Sequence, residues 1–97
     1  VFSSVKRQFI VYAMLSVDLD KNITTEQRNR FHQYLSQVDW TLLPKIKTTW
    51  YAGFSPNASN VFIRLATKED VKKAAESANI ASYDVVVHIG NSKPTCF

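Results

Sequence analysis

An α+β domain, with a four-stranded antiparallel sheet carrying two helices on one face, is the fold class this sequence predicts. Three observations predict it. Two segments place apolar residues at helical spacing, four others are β-branched, aromatic or alternating in the manner of strands, and together they run in the order β-α-β-β-α-β. The chain has 97 residues, 45% of them hydrophobic, which suits one domain around one core.

Gln8 to Val17 (QFIVYAMLSV) is rich in β-branched and aromatic residues and apolar on both alternating faces, as expected of a central strand. The polar run Asp18 to Asn22 breaks it, and Thr24 with Gln27 forms a capping box that opens a helix. Phe31, Tyr34, Leu35 and Val38 continue that helix as a single stripe as far as Asp39. Lys45 to Ala52 alternates as a second strand, entered at Pro44, with Ile46, Thr48, Trp50 and Ala52 opposed to Lys45, Lys47, Thr49 and Tyr51. Turn residues fill Gly53 to Ser59. Asn60 to Ala66 then alternates again, setting Val61, Ile63 and Leu65 against Phe62 and Arg64, so the second and third strands read as a hairpin. Thr67, with Asp70 in the next turn, reads as the cap of a second helix whose stripe is Val71, Ala74, Ala75 and Ala78. Tyr83 to Ile89 is the fourth strand, ended by Gly90 and Asn91. With right-handed crossovers this order is the split βαβ, or ferredoxin-like, arrangement: a single domain over residues 7–91 and a C-terminal tail over 92–97.

Composition narrows function less than fold. Twelve Lys and Arg against eight Asp and Glu leave a formal charge of +4, which favours nucleic acid or an acidic partner. A single cysteine, Cys96, forms no internal disulfide and fits a reducing compartment, so the cytoplasm is the expected location. The longest apolar stretch, Phe9 to Val17, is far short of the ~20 residues that span a bilayer, and no membrane role is expected. The two glycosylation sequons, at Asn22 and Asn57, read as chance matches in turns, and Val1 to Lys6 are set aside from the functional reading.

Two helices cover one face of such a sheet and leave the other open, so function is expected on the open face. The alternation sends Phe62 and Arg64 there beside Tyr51, Lys45 and Lys47, and on the first strand Tyr12, Met14, Ser16 and Asp18 share it. Tyr12, Met14, Tyr51 and Phe62 are residue types of a homodimer interface, whereas the rings with Lys45, Lys47 and Arg64 are those of single-strand nucleic-acid binding, bases stacked and phosphates held. Asp18 and Asp20 close the first strand as candidate Mg²⁺ ligands or as ordinary turn formers. His32, on the solvated side of the first helix, and His88, on an edge strand, have no partner at metal-ligand spacing. There is no Gly-rich phosphate loop, His-Glu-x-x-His, paired cysteine or nucleophile elbow, which disfavours the familiar enzyme classes.

Phe9-Ile10-Val11-Tyr12 leading to Asp18, a first helix containing Arg28 and Arg30, and the strand ending Trp50-Tyr51-Ala52-Gly53-Phe54 give the chain a resemblance to the small CRISPR-associated ferredoxin-like nucleases of spacer acquisition. More loosely it resembles the antitoxin endoribonucleases and toxin ribonucleases of the same fold. The resemblance implies a symmetric dimer with one aspartate per subunit near the two-fold axis, a metal between them, and an RNA or DNA backbone across a basic surface. Two functional expectations stand together. One is a small homodimeric interaction module of antitoxin, adaptor or regulator type. The other is a nucleic-acid-binding protein, in its enzymatic form a Mg²⁺-dependent ribonuclease, with Asp18 at its catalytic centre and Arg64, Lys45 and Lys47 on the backbone.

Overall fold

A computed structural model describes residues 10–95 and residue 97. Expectations that fall on residues 1–9, including the start of the first strand at Gln8 and of the domain at Arg7, and on Cys96 lie outside the described residues. Six elements follow in the order β1 (Val11–Leu19), α1 (Thr25–Gln37), β2 (Thr41–Leu42), β3 (Thr49–Phe54), α2 (Asn60–Ser77) and β4 (Tyr83–Gly90). The sheet order is β2-β3-β1-β4 with every pair antiparallel, so the β-α-β-β-α-β, ferredoxin-like class is the observed one. No described helix is long and apolar enough to cross a membrane.

The strand period of two sorts the faces. Ala13, Leu15 and Val17 of β1 and Trp50 and Ala52 of β3 are buried beneath the helices, where they meet Phe31 and Leu35 of α1 and Ile63, Val71, Ala74 and Ala75 of α2. Both helices start and stop on local chemistry. The Thr24 hydroxyl accepts from the Gln27 N–H at 3.1 Å, and the Gln27 amide oxygen accepts from the Thr24 N–H at 2.9 Å. At the other ends Asp39 (φ 72°) and Asn79 (φ 57°) turn left-handed, and the next residues, Trp40 and Ile80, donate back to Leu35 and Ala75. These are Schellman closures whose apolar follow-on residue is itself buried.

Two stretches differ from the sequence expectation, residues 60–66 and the hairpin before them. Asn60 to Ala66 is not a strand but the first half of α2, and Ser59, not Thr67, caps it, its hydroxyl accepting from the Phe62 N–H at 3.0 Å. The alternation of Val61, Ile63 and Leu65 concealed a longer helical stripe, Ile63, Thr67, Val71, Ala74, Ala75 and Ala78, that runs through with no turn residue between Ala66 and Thr67. Thr67 is fully buried, and its hydroxyl donates to the Ile63 carbonyl one turn back at 2.7 Å. Val61 and Leu65 are accordingly exposed. The hairpin is formed instead by β2 and β3, and Lys45 to Thr48, expected within a strand, belong to its loop, closed by Leu43 and Thr49 N–H donors. His32 is half-buried rather than solvated, edge-on to Trp50 with ring centroids 5.1 Å apart. Burial holds its pKa below the usual histidine value, and the neighbouring Arg28 cation adds to the effect.

Candidate functional site

The face of the sheet opposite the helices carries every second residue of the strands. Register puts Tyr12 beside Gly53 and Gly90, Met14 beside Tyr51 and His88, Ser16 beside Thr49 and Val86, and Asp18 beside Asp84. Thr41 of β2 lies next to Tyr51. One end of this face is aromatic. The Tyr12 ring lies over Gly53 of β3, where a Cβ would stand in ordinary contact with it at 3.6 Å, and is 6.4 Å from the Tyr51 ring at a 58° tilt. Lys93, in the segment after β4, folds back to place its ammonium 5.4 Å from the Tyr51 ring centre. Tyr12, Met14, His88, Gly90, Lys93 and Pro94 enclose a shallow cavity of about 430 Å³. Below the rings the hydroxyls of Ser16 and Thr49 are hydrogen-bonded at 3.0 Å.

The opposite end of the face is acidic. Asp18 and Asp84 sit side by side on neighbouring strands, and with Asp20 and Lys21 they line a cleft of about 390 Å³. Asp18 falls within β1, which runs on to Leu19, rather than at its end. Asp20 follows, and its carboxylate accepts from the Asn22 N–H at 2.9 Å, which engages one oxygen in the strand-to-helix turn. Among the described residues no three carboxylate, imidazole or thiol groups converge as metal ligands.

Of the residues singled out from sequence, Tyr12, Met14 and Tyr51 come together on the open face. Phe62 and Arg64 lie on α2 in the other layer, and Lys45 and Lys47 are exposed in the β2–β3 loop, so the basic trio Lys45, Lys47 and Arg64 does not share one surface. Sequence reasoning gave no role to His88, Asp84 and Gly53. The first two were legible in the alternation of β4, whereas nothing in the tail's composition marked Lys93 as part of the face. Compared with family models, with curated proteins and with solved structures, the chain gives no significant match. Fold and face together define a ferredoxin-like α+β domain with an aromatic, uncovered sheet, and any role is argued from that face itself.

Proposed function

We propose that this chain is a binding module of adaptor, antitoxin or regulator type that pairs with a second copy of itself through the open sheet face. The observation that carries the reading is the polarity of the face along its strands. The Tyr12, Tyr51 and Lys93 end is aromatic and cationic, and the Asp18 and Asp84 end, about 20 Å away at about 3.4 Å per strand residue, is anionic. A two-fold axis through the middle sets each end against its opposite on the partner, so the surface is self-complementary in charge as an isologous interface requires. Tyrosine and methionine on this face are interface-enriched types. Nucleic acid has weaker support, because the Asp18–Asp84 end repels phosphate and the Lys45, Lys47 and Arg64 cations are divided between surfaces.

Sedimentation velocity over a concentration series tests this. Wild type is expected to dimerise by high micromolar concentration, added salt to weaken the dimer, and Tyr51→Asp and Lys93→Glu each to raise its Kd about tenfold or more. A wild-type monomer throughout that range contradicts the reading. If that monomer binds single-stranded RNA and loses it on Tyr12→Ala or Tyr51→Ala, base stacking on the same rings replaces it. Cleavage of RNA or DNA with Mg²⁺, abolished by Asp18→Asn, would restore the nuclease reading.

A further inference from the structure

We propose a second docking site, independent of the open face: the groove between α2 and β4 receives an acidic, partly apolar peptide segment of a partner protein, added as a fifth strand on the edge of β4. Two helices cover four strands unevenly. Ala13, Leu15 and Val17 of β1 are buried, whereas Tyr83, Val85 and Val87 of β4, which face the same layer, are only half-buried. They leave a groove of about 410 Å³, floored by Val71, Tyr83, Val85 and Val87 and walled by Arg64 and Lys68 of α2.

Three features choose the occupant. Among the described residues β4 pairs with β1 alone, so its outer edge presents backbone N–H and C=O groups in the spacing an added strand uses. The floor is apolar and half-buried, which selects apolar side chains at alternate peptide positions. Arg64 and Lys68 make no ion pair among the described residues, whose pairs are Arg30–Glu26 and Lys73–Glu69. Two unpaired cations above an apolar floor are complementary to carboxylates flanking those apolar positions. Val61 and Leu65, 65% and 62% exposed on the same helix, lie within a turn of Arg64 and Lys68 and extend the apolar surface away from the groove.

The probes are two capped peptides of strand length, identical in their valines and serines and differing only in carrying glutamate or lysine. Binding is read by fluorescence anisotropy and site protection by amide hydrogen exchange. The glutamate peptide is expected to bind saturably, to slow exchange along β4, and to lose about tenfold or more in affinity in an Arg64→Glu, Lys68→Glu double variant, both positions being exposed. Tyr51→Asp is expected to leave peptide binding unchanged, which separates this site from the open face. Equal affinity for the two peptides, no saturation at millimolar concentration, or indifference to the double variant overturns the proposal. So does protection of β4 that grows with protein concentration in the absence of peptide and persists in Tyr51→Asp, which would put a second copy on that edge rather than on the open face.

Discussion

Asp70→Ala probes the hydrogen bond that ties α2 to the residue entering β2. The indole N–H of Trp40 donates to an Asp70 carboxylate oxygen at 2.9 Å, and Trp40 is only 3% exposed, so water does not take over when the acceptor is removed. A bond to a charged acceptor contributes about 1.5–3 kcal/mol net, and an orphaned buried N–H costs about 1–3 kcal/mol, which gives an expected loss of about 2 kcal/mol. For a domain of this size that lowers Tm by roughly 8–16 °C. Trp40→Phe removes the donor instead. Half-buried Asp70 then rehydrates, and the cost comes from the volume left beside Phe54, whose ring packs at 6.4 Å. The double variant is expected to lose less than the sum of the two, by about 1–2 kcal/mol, because the second change removes a bond already broken. Urea unfolding followed by circular dichroism measures all three, since a fluorescence signal would change with Trp40 itself. An Asp70→Ala cost under about 0.5 kcal/mol, or strict additivity, refutes the assignment of this bond as a structural tie.

The helical reading of residues 60–66 predicts that Ile63→Ala, at a fully buried position, costs about 2–5 kcal/mol, while Val61→Ser and Leu65→Ser stay within about 0.5 kcal/mol. Equal costs at all three in urea titrations would favour a strand. His32 is neutral in the fold with its pKa held down, so the unfolded chain takes up the proton first, at about pH 6.5. Stability from this group is complete above that value and is lost as the pH falls toward the lower folded pKa. Thermal melts at about pH 7.5 and about pH 5.5 should therefore show wild type losing more stability than His32→Gln. Asp18→Asn removes one of two like charges on adjacent strands and should raise Tm slightly, with a fall in Tm arguing for a structural role of the carboxylate.

What was legible in the sequence was local chemistry. The Thr24–Gln27 box, the β-branched and aromatic run of β1 and the alternation of β4 each follow from a few neighbouring residues. The start of α2 was misread because Val61, Ile63 and Leu65 fit a period of two as well as part of a period near four, and only the packing of Ile63 above Thr67 decides between them. That misreading moved Phe62 and Arg64 to the wrong layer, and with them the expected basic face. Tyr12 and Tyr51 were placed on the open face from the more polar alternates of their strands, but their adjacency depends on register, which a single strand does not reveal.

Gln27 does more than begin α1. Its side-chain N–H₂ reaches across to the Ala78 and Asn79 carbonyls, at 3.2 and 3.1 Å, and so also fastens the end of α2. The start of the first helix is therefore completed by residues made some fifty positions later, just as β1 gains its second neighbour only when β4 exists. During synthesis the ribosome releases an α1 without its clasp and a β1 with one naked margin until almost the whole domain has emerged. Shortened forms that stop before β4 would expose that margin to other nascent chains, so the order of the strands ties protection from aggregation to completion of the domain.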